Sequence, residues 1–446
     1  MTAYRARTLP VLPGPAGWAA ILPPCAAGPA LDGDMTADAV IIGAGFAGLS
    51  AARRLRQLEP KARIVVLEAG RIADSSAGRN SGFMIDLPHD LQSEDYAGAG
   101  DDRAMIAMNR HAIAFAAGAV AEYGIDPNFF DRAGKVNGAV GETAEAHHIS
   151  FAEHRKTLGE PSEMLDAQAM ANRTGSRHYR SGLYSPGTVM LQPAGYIRGL
   201  AAGLRRDGVS IFEQTPATGF ERRGPDWCVA TPQGAVTAAR IILCVNGHLE
   251  SFGFARGRLM QVFLYAAMTP ELDSETLRKL GGQSRWGITP SDPMGTTVRR
   301  IDKAQGGNRI IVRTCATLRP GMKVPPADMA RAARTMQQKF DQRYPQLAGL
   351  KMESAWAGHL CLSLNGVAVA RPVEDGVFSA CVQNGLGTAR GTLTGIAAAE
   401  MTVGKQSTIT AHFLGEDPPK RLPPQPFRQI GANAVLRLKE WRARDE

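Results

Sequence analysis

Long apolar runs, paired cysteines and clustered charge are all scarce in this chain. No uninterrupted apolar run among its 446 residues approaches the ~18 that a bilayer span requires, so no membrane span is expected. The six cysteines (Cys25, Cys228, Cys244, Cys315, Cys361, Cys381) form no C-x-x-C pair and lie beside no histidine cluster. That excludes a disulfide framework and a zinc site, leaves no metal ligands to assign, and fits a reducing cytoplasm. Cys244, inside the apolar run from Ile241 to Val245, reads as a small core residue. The net charge of +9 is not concentrated: Arg53-Arg54, Arg222-Arg223 and Arg299-Arg300 are isolated pairs. Without interleaved aromatics such pairs do not make a nucleic-acid groove, and they read as solvated basic surface with a weak pull on anionic substrates. Residues 1–34 carry Pro10, Pro13, Pro15, Pro23 and Pro24, which forbid the helical apolar core of a signal peptide. They are expected to form an extended arm on the body of the protein.

What is present is a nucleotide-binding strand-turn-helix. The run from Ala39 to Ile42 leads into Gly43-Ala44-Gly45-Phe46-Ala47-Gly48, a helix-like segment follows, and a second apolar run, Ile64 to Leu67, ends at Glu68. Gly43 permits the tight turn, Gly45 lets backbone approach a pyrophosphate, and Gly48 lets the helix pack closely on the strand. Unpaired N–H groups and the dipole at the helix N-terminus favour the pyrophosphate's charge. Glu68 lies 20 residues after Gly48, where a carboxylate accepts hydrogen bonds from ribose hydroxyls and repels a 2′-phosphate. A bare G-x-G-x-x-G is weak in a chain with 49 glycines, but strand, helix and acid are all in place. NAD and FAD remain open at this point.

At this length two domains are the default. Helical spacing marks Asp101–Tyr123, Glu142–Leu158 and a helix opening at Gln192-Pro193, while β-rich runs fall at 209–212, 227–230 and 239–245. From Arg256 to Cys315 longer alternating runs (260–268, 296–301, 309–314) predict a separate antiparallel sheet covered by a helix over 327–340. A strand at 376–382, the turn Gly385-Leu386-Gly387-Thr388 and a helix over 392–403 close the nucleotide-binding layout. A simple NAD enzyme needs one glycine-rich helix start. An extended FAD also needs its flavin anchored, and a helix beginning near Leu386 would stabilise negative charge on the reduced ring.

Taken with Asp32-Gly33-Asp34, the loop Ala77-Gly78-Arg79-Asn80-Ser81-Gly82, the Gln192-Pro193 helix and Asn246-Gly247, these motifs resemble the FAD-dependent D-amino-acid oxidase superfamily. Within it the pattern is similar to glycine oxidase, sarcosine oxidase-like and γ-glutamylputrescine oxidase-like proteins. The resemblance implies an α/β fold, with a Rossmann-like FAD-binding domain (35–95, 185–255, 355–446) and a second, antiparallel-sheet substrate domain (96–184, 256–354). It places the Ala77–Gly82 loop beside the flavin, Trp356 near the ring, and Ala69, Arg71 and Ala217 with Glu68 at the adenosine end. It further implies C–N oxidation of a small-molecule amine or amino acid, with hydride transfer to flavin N5, hydrolysis of the imine, and oxygen or another electron acceptor. Two alternatives stand beside it: oxidation of a 2-hydroxy acid, and a non-catalytic flavoprotein subunit of a heteromeric dehydrogenase. Tyr265 and His359 are candidates for the substrate pocket, and Arg300 or Arg313 for clamping a substrate carboxylate. Cys361 and Cys315 raise a thioether link to the flavin, but no local pattern supports one, and non-covalent FAD is expected. The last glycine turn lacks the lysine or histidine that family oxidases often hold there, which leaves open a dehydrogenase using another acceptor.

Overall fold

The computed structural model describes residues 2–11, 14–88 and 101–446. The 95/96 boundary drawn from sequence lies outside them. Strands Met35–Ile42, Ile64–Leu67 and Ser210–Phe212 run parallel in a nine-stranded sheet, with Ser210–Phe212 at its edge. Their apolar side chains are buried on both faces, the pattern of a covered parallel sheet. Strand Gly234–Leu243 pairs in parallel with Met35–Ile42 on one side. On its other side the first half meets Asp226–Thr231 antiparallel, and Ile241 to Leu243 meet Val377–Cys381 in parallel. Chain from both ends of the sequence therefore shares one sheet.

Helix Phe46–Leu58 packs against helix Ala389–Thr402 at close range. A Cβ at Gly395 would overlap the Ala47 carbonyl oxygen, and Ala397, Ala398 and Ala399 have no exposed surface. Small side chains are what let two helices touch backbone to backbone there. Helix Asp102–Tyr123 has the length and hydropathy of a membrane span, but it packs on Ala389–Thr402 and Pro193–Arg206 through residues such as Ala112 and Ala116, as a core helix does.

The eight-stranded second sheet is antiparallel except where Trp286–Pro290 runs parallel to Lys135–Ala139. It is broader than the alternating runs suggested, because Lys135–Ala139, Glu163–Asp166 and Ser181–Ser185 join it. Two segments grouped by sequence with the nucleotide-binding part lie elsewhere. Ser354–Ser363 is the edge strand of the second sheet, beside Leu259–Met268. Helix Phe427–Arg442 covers strand Arg309–Leu318, where Glu440 and Asn433 accept the backbone N–H groups of Ala316 (2.8 Å) and Leu318 (2.9 Å). The N-terminal segment does more than lie on the surface. Ala3–Arg5 adds an edge strand to the nine-stranded sheet, and Trp18 is fully buried.

Candidate active site

Between the two sheets runs a cavity of about 370 Å³. At one end the glycine turn shows three different reasons for glycine. Gly43 sits at φ +103°, and a Cβ there would come within 2.6 Å of the Cys244 carbonyl oxygen. A Cβ on Gly48 would overlap the Gly43 carbonyl oxygen, so Gly48 is needed for the turn itself and stands behind the wall. Gly45 differs, since its φ of −86° suits any residue and a Cβ would stand at ordinary contact, 3.6 Å from the Ala77 Cβ. The protein leaves room for a side chain at Gly45, and the room faces the cavity. No side chain caps helix Phe46–Leu58, so its first N–H groups are left for a ligand. Glu68 is buried on the same wall, accepting from the N–H groups of Ala44 (2.8 Å) and Gly70 (3.1 Å). Burial pushes its carboxyl up, against the pull of those two donors. Ala69 and Ala217 line this end, whereas Arg71 turns outward to the Cys25 carbonyl.

The loop Ala77–Gly82 is held from behind by contacts that the sequence reading did not assign. Asn80 folds the loop on itself, its Oδ1 accepting from Gly82 N at 2.7 Å and its Nδ2 donating to Ala77 O at 2.6 Å. The Trp18 indole N–H donates to Asn80 O at 2.9 Å, and Gln192 caps its own helix while donating to Trp18 O. Arg299 is the correction to the reading of the basic pairs as solvated surface. It is fully buried, stacks over Trp18 and Phe83, and donates to Leu191 O (2.5 Å) and Ser81 O (3.2 Å). Burial pushes its guanidinium down to about 10. Arg79 ties the loop to the second sheet by donating to Ala357 O (3.2 Å), and to its own lead-in by donating to Asp74 O (2.6 Å). Ala77, Arg79, Asn80, Ser81 and Gly82 line the cavity, and Gly78 stands behind it, where a Cβ would overlap Ala73 O.

At the far end Gly385, Leu386, Gly387 and Thr388 line the wall, with Thr388 donating to Phe83 O at 2.7 Å. Helix Ala389–Thr402 also begins without a side-chain cap. Asn246 lines the cavity, whereas Gly247 is packed on Gln261 and Trp356 lies one layer back, donating to Arg79 O at 3.1 Å. Residues 38–401 match the FAD dependent oxidoreductase family, DAO. The chain belongs to that family.

This FAD-dependent oxidoreductase is 24% identical over 418 residues to a probable oxidoreductase, OrdL, of Rhizobium meliloti (strain 1021), covering 90% of this chain and 91% of that protein. It is likewise 24% identical to the gamma-glutamylputrescine oxidoreductase of Escherichia coli (strain K12), covering 85% and 87%. In fold it is similar to glycine oxidase from Geobacillus kaustophilus, with a TM-score of 0.68 at 16% identity over 85% of this chain and 98% of that one. FAD is the cofactor, and the cavity suits it. A buried carboxylate at one end, room at Gly45 beside one uncapped helix start, and a second uncapped start further along the wall match ribose, pyrophosphate and flavin in that order. Neither Cys361 nor Cys315 lines that cavity, and burial raises both thiols.

The three catalytic candidates fare differently in this oxidoreductase. Tyr265 touches the wall, but its side chain has no exposed surface and its Oη pairs with Thr317 Oγ1 at 2.5 Å, in the apolar cluster that helix Pro326–Arg343 covers. Its phenol, raised to about 12 by burial, is turned away from the cavity. Tyr265→Phe is therefore expected to lower stability by about 1 kcal/mol and to leave kcat/KM unchanged, as paired thermal melts and steady-state rates would check. Arg300 also departs from expectation, donating to Gly281 O away from the cavity. Of the two arginines considered for a carboxylate, Arg313 lines the cavity, opposite Ala266 and Thr297 on neighbouring strands.

His359 does face the cavity, beside His248 and Phe263. Gln261 donates from Nε2 to Gly247 O (3.2 Å) and Glu250 (3.0 Å), so its Oε1 must accept. The proton of His359 then lies on Nε2, 2.9 Å from that oxygen. Burial, with His248 adding, pushes the imidazole from 6.5 down to about 3. The unfolded chain consequently binds the extra proton between those values, and His359 contributes stability that is present above about pH 6.5 and lost as pH falls toward 3. Urea midpoints at pH 7 and pH 4 should converge in His359→Gln relative to the parent, and the pH profile of turnover above pH 5 should keep its shape.

Proposed function

We propose that this FAD-dependent oxidoreductase oxidises the C–N bond of an amine bearing a carboxylate, an amino acid or N-alkyl amino acid, to an imine that water hydrolyses. The observation that carries the reading is Arg313 on the cavity wall at the end away from Glu68, among Leu264, Ala266 and Thr297. A guanidinium there binds a carboxylate through paired N–H donors. Among the described residues Glu68 is the one carboxylate on the wall, and it lies at the opposite end. None of the described acids stands beside Arg313 to hold a protonated amine, and the guanidinium disfavours one, which supports binding of the neutral amine with its lone pair ready to support loss of hydride. Bound FAD supplies the hydride acceptor at N5. What the chain contributes is orientation by Arg313, exclusion of water by Phe83, Leu264 and Leu386, and the helix start at Ala389, whose dipole favours negative charge on the reduced ring. The gamma-glutamylputrescine oxidoreductase and glycine oxidase names of similar proteins support the reading.

The test is anaerobic mixing of the holoenzyme with simple amines, N-methyl amino acids, D-amino acids and 2-hydroxy acids while the visible flavin absorption is followed. Bleaching by an amino acid and not by its hydroxy analogue is expected. Bleaching by hydroxy acids alone, or only after a second polypeptide is added, would overturn it. Admitting air to the bleached enzyme then separates oxygen from another acceptor by the rate at which colour returns.

A further inference from the structure

We propose that helix Phe427–Arg442 docks this protein on the surface of an anionic lipid bilayer. Sixteen residues span roughly 24 Å, and the helix divides cleanly along its length. Ala432, Asn433, Leu436, Arg437 and Glu440 turn toward the second sheet. The opposite face is apolar and open: Phe427 is 72% exposed, Ile430 67%, Val435 53%, Leu438 47% and Trp441 61%. Large side chains at helical spacing, left in water along a whole helix face, mark a surface made to be covered.

Charge decides what covers it. Glu440 is the only acid in the helix, and it is engaged inward by Arg331 (2.9 Å), Arg437 (2.8 Å) and the Ala316 N–H (2.8 Å). Lys439 and Arg442 are exposed beside the stripe, and Arg428 lies half-exposed at its start. A second copy docking two-fold along this face would set these cations against their own counterparts with no free acid on the helix to answer them. An anionic headgroup layer answers them directly, while Phe427, Ile430, Leu438 and Trp441 enter the boundary with the acyl chains. The helix's inner residues Ala432 and Leu436 pack in one cluster with Leu264 and Leu360, which line the cavity. Docking thus leaves a single helix between the bilayer and a strand of the active-site wall.

The test is flotation of the FAD-loaded full chain with vesicles of phosphatidylcholine alone or mixed with phosphatidylglycerol. Trp18, Trp227, Trp286 and Trp356 are fully buried, so acrylamide quenching of tryptophan fluorescence reports on Trp441. Expected are flotation with the mixed vesicles only, its loss at high salt, and protection of Trp441 from acrylamide when those vesicles are present. Lys439→Glu/Arg442→Glu and, separately, Ile430→Glu/Trp441→Glu should each weaken binding at least about tenfold, with flavin content and melting temperature unchanged. The parent protein failing to float with the anionic vesicles would overturn the proposal. So would protection of Trp441 without vesicles together with a dimer in light scattering that Ile430→Glu/Trp441→Glu converts to monomer, which would make the face a contact between copies.

Discussion

Gly45→Ala is expected to fold as the parent chain does and to hold its flavin far more weakly. The backbone at Gly45 is in an ordinary extended conformation, and a methyl group there meets only the Ala77 Cβ at 3.6 Å. Replacing glycine at such a site restricts the unfolded chain, so the apoprotein should melt at the same temperature or higher, by about 0.4–1 kcal/mol. The methyl nevertheless occupies the space through which a pyrophosphate reaches the N–H groups of Phe46 and Ala47. Overlap with a rigid ligand costs about 1–3 kcal/mol or more, which weakens FAD binding on the order of 10–100-fold. Gly48→Ala is the contrasting variant. Its methyl would overlap the Gly43 carbonyl oxygen, so stability and flavin should be lost together. Apoprotein melts and FAD titration by flavin fluorescence separate the two outcomes, and Gly45→Ala retaining FAD at the parent's affinity would remove the assignment of that space to the cofactor.

These glycines were legible in the sequence because their constraint is local: a turn, a helix start and an acid at fixed offsets. The same holds for helix Glu142–Leu158 and strand Leu259–Met268, whose periodicities predicted them within a residue. Side-chain direction on the second sheet was less legible. Arg299 and Arg300 are neighbours on one strand, so they face opposite sides, and alternation does not say which side holds the cofactor. Arg299 turns to the Ser81 and Leu191 carbonyls, and Arg300 turns to Gly281. Beside Tyr265 the pairing of strands Leu259–Met268 and Arg309–Leu318 slips at Leu264/Tyr265, where Cys315 takes φ +66°. A bulge of that kind re-aims side chains and leaves no mark in a hydrophobic pattern. What Trp18 and Gln192 do was not legible for another reason. Their partnership with the Ala77–Gly82 loop joins segments far apart in the chain, and nothing local encodes it. The exposed face of helix Phe427–Arg442 has the opposite character, since its apolar spacing is visible in sequence while its exposure is a fact of packing alone.

Arg313→Met should cost the enzyme its preference for substrates bearing a carboxylate. Methionine keeps much of the length and apolar contact of the arginine stem but cannot donate a hydrogen bond. Charge-assisted hydrogen bonds to a carboxylate contribute about 1.5–3 kcal/mol, so kcat/KM for an amino acid should fall on the order of 10–100-fold, mostly through KM. Turnover at saturation should change less, because the hydride acceptor and the wall formed by Phe83 and Leu386 are untouched. A simple amine makes no such contact, and its kcat/KM should stay near the parent value or rise as the cationic repulsion is removed. Arg313→Lys returns the charge without the planar fork and should recover part of the loss. The comparison that decides the assignment is the ratio of amino-acid to amine kcat/KM across the three proteins. A ratio that does not move, with both substrates slowed equally, would mean that Arg313 only supports the wall, and the carboxylate would have to be sought elsewhere on the cavity.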